Sequence, residues 1–234
     1  MSCRPSLLEP KTAALSFDIA ELGTYKYELK LSATPPPSTP QLRFEAPLGG
    51  QQVETFTFRA FTIAPTDFKL SVGRPEFFEV PPSVNVEASP HWDGLDVRVQ
   101  IKFEPEALGN LSDTLVIDGG AAGEYRCTLL GVCKRPQPQG PFVIAKNGSR
   151  EITFRNVFGD AREFSFTVDN AAFAVSTATQ NIPPRAEAKC VVSFKPEGEH
   201  KESEISAKLF VRCLSADFAS FPPWVYYLRG NLAE

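Results

Sequence analysis

Acid–base chemistry near neutral pH would run through His91 and His200, the only two histidines among 234 residues, because imidazole alone has an ordinary pKa in that range. His91 lies between Pro90 and Trp92, and His200 lies within the acidic stretch Glu197 to Glu204; both read as solvated loop residues. Cys190 sits mid-strand, two places from Val192, and reads as a buried inert thiol rather than a nucleophile. The five cysteines, Cys3, Cys127, Cys133, Cys190 and Cys213, are odd in number and contain no CxxC pair. Reduced thiols are therefore expected, most of them on strands. No Cys/His spacing suits a tetrahedral zinc site. Glu197, Glu199, Glu202 and Glu204 alternate with lysines and lack the Asp/Asn positions of a calcium loop, so they read as a solvated hairpin tip. Gly49-Gly50 and Gly119-Gly120 read as hairpin turns, and no glycine-rich turn precedes a helix to cradle phosphate. The expectation is a protein that is not an enzyme, with no metal, no cofactor and no small-molecule substrate.

Aromatic side chains are the better candidates for contact chemistry. Phe218 and Phe221 precede a stretch in which Trp224, Tyr226 and Leu228 share one face and Val225 and Tyr227 the other. One face belongs to a core; the other, with the two phenylalanines, is a candidate docking patch. A second candidate is the segment holding Phe77, Phe78, Pro81, Pro82 and Trp92. Phe78, Trp92, Phe218, Phe221 and Tyr227 are thus the predicted partner-contact residues, with plain packing as the other reading of each.

The elements that position these residues are strands. Twenty-one prolines in 234 residues leave little room for helices, since proline inside one costs about 3 kcal/mol. Nineteen phenylalanines favour half-buried pleated surfaces. A net charge of −4 with no long run of either sign removes the usual drive for nucleic-acid binding. Neither a long apolar run nor a signal-like N-terminus is present, which predicts a cytosolic chain without a membrane span. The sequons at Asn110 and Asn147 are then accidental.

Internal repetition orders these strands. Phe56 to Val72 aligns without a gap on Ile152 to Val168, so that Phe58 meets Phe154, Arg59 meets Arg155 and Phe68 meets Phe164, ninety-six residues on. Downstream, Phe103-Glu104-Pro105 and Phe194-Lys195-Pro196 close equivalent strands, ninety-one residues apart. The extra residues of the first copy fall between Pro81 and Gly94, a predicted extended loop. In a third register Leu15, Phe17, Gly23, Tyr25 and Leu29 recur as Leu115, Ile117, Gly123, Tyr125 and Leu129, one hundred residues on. The closing strand returns once more through Trp224, Tyr226, Leu228 and Gly230. This partitions the chain into residues 1–36, the terminal hairpin of a preceding domain or an N-terminal extension, and sandwiches over 41–135 and 141–234. Proline-rich stretches at 35–40 and 134–141 separate them as stiff linkers. Alternating apolar positions and frequent turns predict an all-β chain of tandem immunoglobulin-like β-sandwiches.

The run from Ile182-Pro183-Pro184 to Phe194-Lys195-Pro196, after Phe154-Arg155-Asn156, resembles the ASH family of immunoglobulin-like domains, relatives of the major sperm protein fold. Its closing-hairpin pattern is similar to Gly23-Thr24-Tyr25-Lys26-Tyr27-Glu28-Leu29-Lys30-Leu31, with Ile19 in place of a leading Leu. The first full repeat departs further: Ala60 replaces the early Asn, and Gly94-Leu95-Asp96 replaces the I-P-P turn. The resemblance implies a structural scaffold of the motile-cilium axoneme, in the cytoplasm and cytoskeleton of the cilium or flagellum. It would belong to the central apparatus and contact tubulin, the microtubule or other axonemal proteins. A second reading is a cytosolic adaptor, like the major sperm protein domain, that binds short peptide motifs; Arg150, Arg155, Arg162 and Arg185 would supply its basic groove.

Overall fold

The computed structural model describes residues 10–33, 38–89, 93–198, 203–215, 218 and 221–232. Their regular elements are eighteen strands and a short 3-10 turn at Gly120–Ala122.

Strands β1 (Lys11–Ile19) and β2 (Gly23–Leu31) form a two-stranded antiparallel sheet. Eight strands follow: β3 (Gln41–Pro47), β4 (Gln52–Ala60), β5 (Thr66–Ser71), β6 (Phe78–Glu79), β7 (Ser83–Val86), β8 (Leu95–Phe103), β9 (Gly109–Asp118) and β10 (Glu124–Lys134). They make one sheet of order β3-β10-β9-β5-β7 and a second of order β4-β8-β6. The same arrangement is then built again from β11 (Gln139–Ala145), β12 (Ser149–Arg155), β13 (Arg162–Val168), β14 (Phe173–Val175), β15 (Thr179–Ile182), β16 (Glu187–Phe194), β17 (Glu204–Cys213) and β18 (Trp224–Asn231). Its sheets run β11-β18-β17-β13-β15 and β12-β16-β14, strand for strand the order of the first set. In each set the opening edge strand pairs in parallel with the closing strand. The fold is therefore all-β and immunoglobulin-like.

Period-two alternation decides which side chains enter each core. Phe56 and Phe58 on β4 face Val99, Ile101 and Phe103 on β8, while Phe68, Leu70, Leu115, Ile117, Cys127 and Leu129 approach from the other sheet, all buried. The second core repeats this with Ile152, Phe154, Cys190, Val192 and Phe194 against Phe164, Phe166, Leu209, Val211, Tyr226 and Leu228. Phe103 and Phe194, the last residues of β8 and β16 and two places before their prolines, each lie under a glycine of the closing strand. A Cβ at Gly131 would come within 2.6 Å of the Phe103 ring, and one at Gly230 within 2.4 Å of Phe194. Cys127, Cys133, Cys190 and Cys213 are buried and unpaired. Burial pushes the Cys133 and Cys190 thiols up to about 11, which removes the reactive thiolate at neutral pH.

The stretch expected as an extended loop contains a strand. β7 adds to β5 in the register Thr66↔Val86 to Lys69↔Ser83, because Val84 and Val86 carry the apolar alternation that a sheet edge can bury.

Asn156 shows why the Phe-x-Asn element accompanies the Ile-Pro-Pro turn. Its buried amide donates to the carbonyls of Asp160, Ile182 and Pro183, and its Oδ1 accepts from the Phe158 N–H. One side chain thus ties the Ile-Pro-Pro turn to the segment that follows β12. In the first sandwich Ala60 stands at this place, and the work passes to Thr62 and Ser89. Thr62 Oγ1 donates to the Glu87 carbonyl at 2.6 Å, and Ser89 Oγ accepts from the Gly94 N–H at 3.0 Å.

Candidate functional site

The two sandwiches meet at a junction built from the end of β8, the end of β12 and the turn before β16. Glu104, directly after β8, points across it with its side chain only 12% exposed. It accepts a charge-assisted hydrogen bond from Arg155 Nη1 and pairs with Lys102 Nζ at 3.1 Å. Arg185 Nη1 lies 3.0 Å from the same carboxylate, an ion-pair contact without hydrogen-bond alignment. Arg185 Nη2 donates to Glu106 Oε1 at 2.6 Å, and the Arg185 carbonyl accepts from Arg155 Nε at 3.1 Å. Burial alone would raise the Glu104 carboxyl, but hydrogen bonds from Lys102 and Arg155 and the charge of Arg185 outweigh it and hold the group below its ordinary value. Glu106 goes the other way: burial raises it and Arg185 offsets only part of that rise.

An apolar seam lies beside this clasp. Leu48 and Cys133 from the first sandwich bury within the second sandwich's cluster of Val157, Phe158 and Trp224, and Leu108 packs against it. Trp224 Nε1 donates to the Leu48 carbonyl at 3.3 Å. Gly49 fits there because its φ is +91° and a Cβ would meet Val157 and the Trp224 indole at 3.2 Å. Together the ion pairs and the seam hold the sandwiches against one another, leaving a groove of about 370 Å³ lined by Phe77, Glu79, Lys102, Glu104, Arg155 and Arg185.

The predicted contact residues do not gather in one patch. Phe78 is fully buried, its ring centroid 5.0 Å from Phe103 and 5.5 Å from Phe44, because β6 places it across from Phe103. That is core packing and corrects the docking expectation for this residue. Trp92 lies outside the described residues, as do both histidines. Phe218 and Phe221 are half-buried, with centroids 4.9 Å apart and Phe218 4.4 Å from Phe158; the Arg162 guanidinium lies 4.4 Å over the Phe218 ring. Tyr227 is 42% exposed on the outer face of β18, with Lys208 5.8 Å from its ring. The four arginines do not form a basic groove either. Arg155 and Arg185 are matched by Glu104 and Glu106, Arg162 is held by both Asp160 oxygens at 2.8 Å, and Arg150 donates to the Val143 carbonyl. Among the described residues no group of three or more His, Cys, Asp or Glu is placed to hold a metal ion. Among the described residues no helix is long and apolar enough to cross a membrane.

An exposed apolar face lies on the β1–β2 hairpin, away from the predicted contact residues. Phe17, Ile19, Leu22, Tyr25 and Tyr27 are 51, 46, 68, 44 and 55% exposed.

No family model matches the chain. Over 218 residues, 92% of its length, it is 33% identical to the hydrocephalus-inducing protein of Mus musculus. It is equally similar, over the same share, to the hydrocephalus-inducing protein homolog of Homo sapiens. The chain is a hydin-like ASH-domain protein. It spans 4% of the length of either relative. Among solved structures, the D0-D1 domain of intimin overlaps 80% of this hydin-like chain and 94% of its own length, at 10% identity and a TM-score of 0.32. WR4, a C. elegans MSP family member, overlaps 38% of the chain and 92% of its own length, at 15% identity and a TM-score of 0.29. At such scores the fold rests on the chain's own sheets.

Proposed function

We propose that the chain is a non-enzymatic protein-interaction module of the cilium, acting as a stiff two-sandwich segment in the axoneme of motile cilia. The observation that carries this reading is the 33% identity to hydrocephalus-inducing proteins across 92% of the chain. The clasped junction supports it, because a scaffold transmits position only if its beads do not swivel. The place proposed for it is the central apparatus, and the partners are tubulin, the microtubule or neighbouring axonemal proteins, met through sheet faces and edges.

Expression of a tagged chain in ciliated cells tests this reading. Signal along the axoneme that survives detergent extraction, with co-purification of axonemal proteins, is the expected result. A detergent-soluble signal spread through the cell body would overturn it.

A further inference from the structure

The chain contains three hairpins of one register. In β1–β2, Leu15 pairs with Tyr27 and Phe17 with Tyr25. In β9–β10, Leu115 pairs with Cys127 and Ile117 with Tyr125. In β17–β18, Leu209 pairs with Tyr226 and Val211 with Trp224. The second and third hairpins bury these positions, Tyr125 in part, against an opposing three-stranded sheet. They also pair along both edges, with a parallel strand on the closing strand and an antiparallel strand on the other. Among the described residues, β1 and β2 pair only with each other.

The two faces of β1–β2 differ sharply. Leu15, Phe17, Tyr25, Tyr27 and Leu29 fall on one, while Ser16, Asp18, Lys26, Glu28 and Lys30 fall on the other. A lone two-stranded hairpin is marginal in water, and an apolar face of this kind marks a contact site.

We propose that β1–β2 is a docking hairpin whose occupant is an immunoglobulin-like sandwich of this same repeat type that lacks its own closing hairpin. The occupant supplies a parallel strand to the free edge of β2, an antiparallel strand to the free edge of β1, and an opposing sheet over Phe17 and Tyr27. This is the interface that β9–β10 already makes within the chain. One position sets specificity: Leu31 stands where the other hairpins carry Gly131 and Gly230, the glycines that cover Phe103 and Phe194. The occupant therefore carries a side chain smaller than Phe at that strand end, which bars the chain's own sandwiches. The matched stretch is 4% of the relatives' length, so a protein of that kind has ample chain to supply such a sandwich. The proposal extends the interaction-module reading, and its test needs no cilium, so the two fail separately.

The test mixes the full chain with a separately made polypeptide of residues 38–108 carrying Phe103→Ala, that is, β3 to β8 without a closing hairpin. Expected is a complex in which the added polypeptide gains slow-exchanging amides. Phe17→Asp in the full chain should weaken binding at least tenfold, whereas Lys26→Glu on the outer face leaves it unchanged. The polypeptide with Phe103 retained should bind at least tenfold more weakly. Absence of binding, indifference to Phe17→Asp, or equal binding of the two polypeptides would each overturn the proposal. So would dimerisation of the chain alone that Phe17→Asp abolishes. Because residue 17 is exposed, the variant's unchanged urea transition verifies that the sandwiches stay folded.

Discussion

Gly94 and Arg185 occupy the same turn in successive sandwiches, and both are left-handed, with φ of +76° and +55°. Glycine adopts that conformation freely, whereas for other residues it costs roughly 1 to 2 kcal/mol. The second sandwich accepts this strain at the residue whose guanidinium reaches Glu104 and Glu106 across the junction. The conformation aims the side chain, so strain and clasp are two aspects of one device.

Arg185→Gly should therefore relieve backbone strain while releasing the clasp. The second sandwich is expected to keep its fold, while small-angle scattering detects a wider spread of inter-sandwich angles. An unchanged scattering profile would mean that the Leu48–Trp224 seam alone sets the junction.

Glu104→Gln should cost about 1 to 3 kcal/mol in urea titration, because it leaves half-buried Arg155 and Arg185 facing a neutral amide. The pH dependence has a defined sign. Glu104 is held below its ordinary value in the folded state, so its contribution is complete above the unfolded carboxylate range and is lost as pH falls through the folded value. Glu106, raised chiefly by burial, opposes this: its ionised form costs stability, which returns as pH drops through its raised value. The gap between the parent chain and Glu104→Gln should shrink as urea titrations move from neutral pH to below the ordinary carboxylate range. A gap that held constant would remove Glu104 ionisation as its cause.

Asn156→Ala should destabilise by about 1 to 3 kcal/mol, since it removes the acceptor of the Phe158 N–H and the amide donor shared by the Asp160, Ile182 and Pro183 carbonyls. The loss should fall on the second sandwich alone. Hydrogen exchange of β12 and β16 against β4 and β8 measures that difference.

Gly230→Ala should cost about 1 to 3 kcal/mol by driving a methyl group into the Phe194 ring. Phe194→Leu, itself destabilising through lost packing, should recover part of that cost in the double variant. Strict additivity in chemical denaturation would refute the contact as the cause.

The Cys133 and Cys190 thiols, pushed up to about 11 by burial, should resist a disulfide-exchange reagent at mildly alkaline pH in the folded chain. Both should react at once in denaturant. Rapid labelling of either in the native state would show that its strand opens locally.

Alternation of apolar residues and the ninety-six-residue repeat determined the all-β class and the pairing of equivalent strands, because period two and strand-ending prolines are local properties of the chain. Sequence also marked the first hairpin as equivalent to the later ones. What it left open was which aromatic side chains face outward. Phe78 reads like a loop residue yet fills a core, since its burial depends on lying across from Phe103, twenty-five residues away. Arg155 and Arg185 read as candidates for a basic groove until the junction sets Glu104 and Glu106 beside them. Charge neutralisation and burial are sums over neighbours brought together from distant parts of the chain, so only the tertiary structure decides them. Sequence alone therefore specified the beads, and packing decided how they clasp and which face remains open.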